Sequence, residues 1–316
     1  GHRLVHGGEK FTGCVVIDDA VIQAMTECND LAPLHNPANL VGVEACRELM
    51  PDTLMVGVFD TAFNQTMEPK AVLYGLPYQY YEIYKIRRYG FHGISHKYVS
   101  ERAAEFMGQN PGRVKTIVCH LGNGASICAV KYGRVVDNSM GFTPLEGLVM
   151  GTRCGDVDPG ALEYLAKKEN LSLSEVMQIL NKESGVLGIS RNYSSDFREL
   201  KDAEIKYNDM AALAREIFAY KVAKYIGSYA AAMNGVDNIV FTAGVGENDS
   251  DIRTEICDYL EFLGITIDEV KNREQGEAFK ISDGASRVNV LVIKTNEELE
   301  IAREAAAVAE PILKKR

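Results

Sequence analysis

Between Cys119 and Gly160 the chain carries residue types suited to phosphoryl chemistry. An apolar run, Thr116–Cys119, breaks at His120-Leu121-Gly122-Asn123-Gly124, and a second run, Ser126–Val130, follows at once. Two such runs around Asn-Gly predict a β-hairpin. Its glycines allow left-handed backbone, and without side chains the amide N–H groups can approach an anion closely. Further on, Gly151-Thr152-Arg153-Cys154-Gly155 sets one cation between glycines, beside Asp156 and Asp158. A phosphate cradle followed by an arginine suggests phosphoryl transfer; an ordinary hairpin and a polar loop fit the same residues. Asp60 closes the apolar run Met55–Phe59, where α/β folds place chemistry, although a strand-end cap is the plainer reading.

The elements that must position these residues alternate between strand and helix, which predicts an α/β fold. Residues 1–17 read as two short strands around His6-Gly7-Gly8-Glu9, followed by a helix over Asp18–Asn29. Ala32–Pro37 is a loop restricted by its prolines, and a helix covers about Asn39–Leu49. Tyrosines cluster from Tyr74 to Tyr89 and read as core and interface packing; the change in composition places a domain boundary near residue 65. A helix is expected over Ser95–Met107. Ser172 with Glu175 forms a capping-box pattern for a helix over Leu173–Leu180, and Gly185–Asp196 reads as a loop. Met210–Met233 is the longest helical pattern, stopped by Asn234-Gly235. The strand Asn238–Phe241 enters Thr242–Asn248, a strand, glycine loop and helix that suit an anion or nucleotide at the helix N-terminus but lack G-x-G-x-x-G. Val290–Ile293 is a strand leading to a terminal helix, for which Thr295 and Glu298 fit a capping box; Glu297 then has only a mild helix-dipole role.

At 316 residues the chain has room for about two domains. With 34 basic and 44 acidic residues its net charge is −10, and no basic run interleaves with aromatics, which argues against a nucleic-acid partner. The local field of a cleft, rather than net charge, governs anion binding. Seven cysteines, scattered singly without C-x-x-C, predict reduced thiols and a cytoplasmic setting, with Cys119 and Cys128 as small core residues. No apolar run reaches membrane-spanning length. The chain opens at Gly1-His2-Arg3 without methionine and enters an apolar run at once, so a fragment of a longer chain is expected.

Ten segments in order resemble the acetokinase family: GHRLVHGGE (1–9), LAPLHNP (31–37), VFDTAF (58–63), YGFHGISH (89–96), CHLGNGAS (119–126), MGFTPLEGLVMGTRCGDVDP (140–159), NKESGVLGIS (181–190), SSDFREL (194–200), FTAGVGEN (241–248) and TNEE (295–298). The resemblance implies a ribonuclease H-like, actin-like ATPase fold with duplicated βββαβαβα domains and a central cleft. It implies one lobe from residues 1–64 and 299–316 and a nucleotide-binding and dimerisation lobe from 65–298. The implied reaction is reversible transfer of the ATP γ-phosphoryl group to acetate, giving acetyl phosphate and ADP, with Mg²⁺ or Mn²⁺, in a homodimer. By the same resemblance Arg3 and Arg153 hold acetate and the moving phosphoryl, His92 stabilises the transition state, Asp60 is catalytic, and Glu297 positions the metal. His120, Leu121, Gly122, Asn123 and Gly124 match the phosphate-binding hairpin. Asp196, Phe197 and Arg198, with Gly244, Val245, Gly246, Glu247 and Asn248, match the adenosine loops. Val5, Leu34, Phe91 and Pro144 match the methyl pocket; His35, between prolines, is either structural or part of the site.

Three departures stand against the family pattern. Its upstream strands and early phosphate loop do not precede Gly1, Asn64 stands where histidine is usual, and Arg191 replaces a glycine within a long loop before Asp196. His92 and His96 have the spacing of metal ligands on a helix, but H-x-x-x-H lacks the zinc-protease glutamate and Gly93 disfavours helix, so His96 reads as a helix-start residue with a local hydrogen bond. The rival readings are a propionate or other short-chain acyl kinase and an actin- or heat-shock-cognate-like nucleotide-dependent binding module. The bulk of Val5 favours acetate, and the pair Arg3 and Arg153 speaks against the module.

Overall fold

The computed structural model describes residues 1–32 and 35–314. Its larger sheet contains six strands: β4 (Lys115–Leu121), β5 (Ala125–Lys131), β6 (Arg134–Asn138), β7 (Asn238–Thr242), β8 (Ala278–Lys280) and β9 (Asn289–Ile293). Their order is β6-β5-β4-β7-β9-β8. β4, β5 and β6 form an antiparallel meander, β7 and β9 add parallel to β4, and β8 closes the edge antiparallel. The smaller sheet contains β1 (His2–Leu4), β2 (Val15–Val16) and β3 (Val56–Phe59) in the order β1-β3-β2. The two N-terminal strands therefore do not pair with each other. Both pair with β3, one parallel and one antiparallel.

Strand periodicity divides the core. Ile117, Cys119 and Leu121 of β4 join the main cluster with Phe218, Val222 and Ile226, whereas Val118 joins Val99, Val240 and Leu291 on the opposite face. The first face is covered by α10 (Asp209–Met233), the second by α5 (Gly93–Phe106). The smaller sheet packs Leu4 and Phe59 against Met25, Leu40 and Val43 of α1 (Asp19–Glu27) and α2 (Asn36–Leu49). Two short helices, α3 (Pro69–Val72) and α4 (Gln79–Tyr84), fill the tyrosine-rich segment. Tyr89 is buried, but Tyr78, Tyr80 and Tyr84 are exposed, so the cluster serves core packing only in part. The remaining helices are α6 (Pro159–Glu169), α7 (Leu173–Lys182), α8 (Gly185–Ile189), α9 (Phe197–Ile205), α11 (Ala243–Asn248), α12 (Ser250–Asp258) and α13 (Glu297–Leu313). The final helix returns to pack on β2, β3 and α5, tying the small sheet to the large one.

Local signals hold where their side chains are spare. Ser172 and Glu175 form the reciprocal capping box of α7, and Asn234 ends α10 in the left-handed conformation. Three expectations need correction. The segment Gly185–Asp196 begins with α8 rather than an open loop. The glycine run after β7 is itself α11. The terminal helix is capped by Asn296, whose side chain accepts from Leu299 N, because the Thr295 hydroxyl is engaged with Ser95 at 2.7 Å. No described helix is long and apolar enough to cross a membrane.

Candidate active site

The hairpin of β4 and β5 pairs Leu121 with Ala125, leaving Gly122-Asn123-Gly124 as its tip. The tip lies close to two candidate side chains: a Cβ on Gly124 would stand in van der Waals contact with Arg153 Nη1 at 3.5 Å and His92 Nε2 at 3.7 Å. Gly151 is likewise packed against Asn123, whose carbonyl accepts the Gly151 N–H at 3.0 Å. Hairpin, arginine and histidine are thus brought together.

Arg153 donates to the Pro144 carbonyl at 3.0 Å and, among the described residues, has no carboxylate partner. Burial pushes its proton affinity down. Across from it, β1 and β3 run parallel with Arg3 beside Val58, which sets Arg3 next to Asp60. Arg3 Nη2 donates to Asp60 at 2.8 Å and stands 3.8 Å from Glu297 at the start of α13. Burial opposes charge on Arg3, but Asp60 and Glu297 outweigh it and raise its proton affinity. Burial raises the carboxyls of Asp60 and Glu297, with Arg3 pulling both the other way. Glu297 Oε1 is buried with no hydrogen-bond partner.

His92 caps α5 in a left-handed conformation, φ 56°. Only glycine fits after it, because a Cβ on Gly93 would meet the Asp60 carbonyl oxygen at 2.2 Å. His92 stacks on His120 with centroids 4.2 Å apart. Burial first, then His120, His96, Arg3 and Arg153, hold it well below the usual histidine range, so it is neutral at pH 7. Burial, then Arg3, pushes His120 down to about 4. The His96 side chain does not make a local bond. It reaches Ser126 Oγ at 2.7 Å. Among the described residues no group of three or more His, Cys, Asp or Glu side chains is arranged to hold a metal.

A cleft of about 900 Å³ opens beside the hairpin tip, lined by Gly122, Asn123, Asp196, Phe197, Arg198, Gly244, Val245 and Asn248. Its volume is that of a small-molecule site. Several side chains point elsewhere. Asp196 caps α9, accepting from Arg198 N at 2.8 Å, and the Phe197 ring packs edge-on against Phe218. Glu247 Oε1 accepts from Ala243 N and Thr295 N, stapling α11 to the loop before α13, and Gly246 packs beneath, against β4. Sequence reasoning did not single out Lys201, Asp202 and Asp249 of this wall, nor Ser126 behind His92. Lys201 was legible as the residue four after Phe197 on one helix face.

Of the methyl-pocket residues, Phe91 is buried and Val5 packs against the same core, while Leu34 lies outside the described residues. His35 caps α2, and its proton affinity is lowered by burial and by Arg153. Asn64 is buried, donating to the Asp60 carbonyl at 3.4 Å and accepting from Asn138 at 3.1 Å. Arg191 adopts φ 58° where its family glycine would be unstrained.

An antiparallel meander extended by parallel strands, with helices on both faces and a nucleotide-sized cleft at the strand ends, defines the ribonuclease H-like, actin-like ATPase fold of phosphotransferases. The model of the acetokinase family matches residues 1–303, and the chain belongs to that family. It is 61% identical over 304 residues to an acetate kinase of Lachnoclostridium phytofermentans, covering 96% of this chain and 77% of that one. An acetate kinase structure from Porphyromonas gingivalis superposes with a TM-score of 0.95 at 50% identity, over 98% of this chain and 77% of that one. A propionate kinase structure from Francisella tularensis gives 0.93 at 45% identity, over 98% and 78%.

Proposed function

We propose that this chain transfers the γ-phosphoryl group of ATP reversibly to acetate, giving acetyl phosphate and ADP by direct in-line displacement. The observation that carries this reading is Arg153, a desolvated guanidinium without a carboxylate partner among the described residues, beside His92 at a glycine hairpin tip. Acetate is already ionised at neutral pH, so its attack needs no general base. The barrier lies in bringing two anions into line and neutralising charge on the equatorial oxygens. Arg3 and Arg153 supply cations for acetate and phosphoryl, and neutral His92 supplies a ring N–H to the transition state. His120–Gly124 hold the phosphates, and the backbone of Asp196–Arg198 and Gly244–Asn248 walls the adenosine. Val5, His35, Phe91 and Pro144 surround the acetate, and the resemblance adds Leu34, which lies outside the described residues.

Asp60 and Glu297 fit Mg²⁺ or Mn²⁺. They share one arginine, and an unpartnered buried carboxylate oxygen suits a hard cation that keeps waters and phosphate oxygens as its other ligands. When bound, such an ion neutralises phosphate charge. We further take residues 1–64 with 299–316 as one lobe and 65–298 as the other, a division that the packing of α13 on β3 supports. A cytoplasmic homodimer is in keeping with the family resemblance and seven free cysteines.

Trapping the acyl phosphate with hydroxylamine tests the reaction. Arg153→Ala is expected to lower turnover by about 10²–10³-fold, the cost of one transition-state donor. Near wild-type turnover would remove Arg153 from the chemistry, and ATP hydrolysis without trappable acyl phosphate would favour the binding module. The Francisella relative motivates one further comparison, kcat/KM for acetate against propionate. One methylene is worth ~1–3 kcal/mol, and a preference for propionate would overturn the choice that Val5 supports.

A further inference from the structure

Ser126 stands at the Nδ1 side of the His92 ring. Its Oγ lies 2.9 Å from His92 Nδ1 and 2.7 Å from His96 Nε2, and both Ser126 and His96 are fully buried. The Cε1–Nε2 edge of the His92 ring faces the hairpin tip, 3.7 Å from where a Cβ on Gly124 would stand. The other nitrogen of His96, Nδ1, is buried without a partner. One hydroxyl proton therefore serves two imidazoles, and its direction decides which nitrogen of His92 carries hydrogen.

Three arrangements are possible for neutral rings. If Ser126 accepts from both histidines, its own proton has no acceptor. If it donates to His96, the proton of that ring moves to Nδ1, creating an orphaned buried N–H of a kind native interiors rarely hold. It also leaves His92 with a bare lone pair facing an incoming anion. If it donates to His92, His96 keeps its proton on Nε2, and only an acceptor lone pair is left unpaired. That third arrangement costs least.

We infer that Ser126 and His96 are positioning residues that hold His92 as its Nε2–H tautomer, through the relay His96 Nε2–H to Ser126 Oγ and Ser126 O–H to His92 Nδ1. The inference rests on the proposed role of His92 as donor to the phosphoryl group. Both rings stay neutral because burial, reinforced by the neighbouring imidazoles, disfavours their charged forms. The relay gives His92 a fixed donor face before substrate arrives, as the third member of a hydrolase triad fixes its histidine.

Nitrogen-15 NMR of the full chain labelled at histidine, with His92 assigned by its loss in His92→Ala, reads the tautomers directly. Nε2–H on both His92 and His96 is expected, and Nδ1–H on either overturns the relay. In kinetics, Ser126→Ala is expected to lower kcat about tenfold to a hundredfold with KM nearly unchanged. Ser126→Thr, which keeps the hydroxyl, should recover most of that loss. In a His92→Ala background Ser126→Ala should cost nothing more, whereas an equal loss in both backgrounds marks a merely structural serine and overturns the relay. Wild-type turnover in His92→Ala alone would instead sink the donor role of His92, an outcome distinct from the tautomer measurement.

Discussion

A histidine that must stay neutral inside a protein ties stability to pH. His6 accepts the Gly8 N–H at Nδ1, at 3.0 Å, which leaves its proton on a buried, unpartnered Nε2. The ring sits edge-on to Tyr89 with centroids 4.5 Å apart, and burial pushes its pKa from 6.5 down to about 4. Below pH 6.5 the unfolded chain takes up a proton that the folded chain refuses, so stability is lost as pH falls from 6.5 toward 4. Buried carboxyls such as Asp60 and Glu297, raised by burial, act in the opposite sense, so the contribution of His6 must be isolated by difference. Relative to its value at pH 7.5, the stability of His6→Gln should improve on wild type by about 2 kcal/mol at pH 5, read from urea midpoints at both pH values. A difference that does not change with pH would refute the assignment. Charge at this scale also explains why Arg153 stood out in the sequence. A lone cation between glycines suggests an anion, whereas Asp60 had a strand-end cap and Glu297 a mild helix-dipole role available.

Elements meet the site through close backbone approaches, and Gly93 is the clearest. Helix propensity alone would favour alanine at the first position of α5 by about 1 kcal/mol. Against that, the added Cβ would meet the Asp60 carbonyl oxygen at 2.2 Å, an atom of the backbone that cannot swing aside. Overpacking of this kind costs about 1–3 kcal/mol or more, so the clash should win. Gly93→Ala is expected to be less stable in urea and to lose turnover, because the shift falls between His92 and Asp60. Unchanged stability and kinetics would show that α5 can slide. Local signals of this kind account for what was legible in the sequence. The hairpin, the capping box of α7 and the stop of α10 each depend on neighbours within a few residues. What was missed depended on distant partners. β1 and β2 find β3 instead of each other, Thr295 leaves its cap for Ser95, and His96 bonds across the sheet to Ser126.

For the whole molecule, the question is what keeps the small sheet and its arginine in register with the hairpin across the cleft. α5 and α13 do so, as both touch β3 while α5 also lies on β4, β7 and β9. Where they cross, Lys97 of α5 reaches Glu300 of α13 at 2.9 Å and also pairs with Glu304. Glu300 is buried, and Lys97 is partly so. Burial works against charge on Lys97, but the two glutamates prevail and hold its proton affinity above the usual lysine range. An ion pair of this sort need not stabilise the fold relative to apolar residues, yet removing one partner strands the other in a poor solvent. Lys97→Ala should therefore destabilise the chain by about 3 kcal/mol or more, observed as a lower urea midpoint. Adding Glu300→Gln should recover part of that loss, since a neutral amide needs no counter-ion, while Glu300→Gln alone should be destabilising. Additive losses in the double variant would mean that the two helices are held by their apolar contacts and that the pair is incidental. On the proposed role of Glu297, which opens α13, loosening this crossing should also raise the Mg²⁺ concentration needed for half-maximal turnover before it abolishes folding, which a Mg²⁺ titration of Lys97→Ala at low temperature would detect.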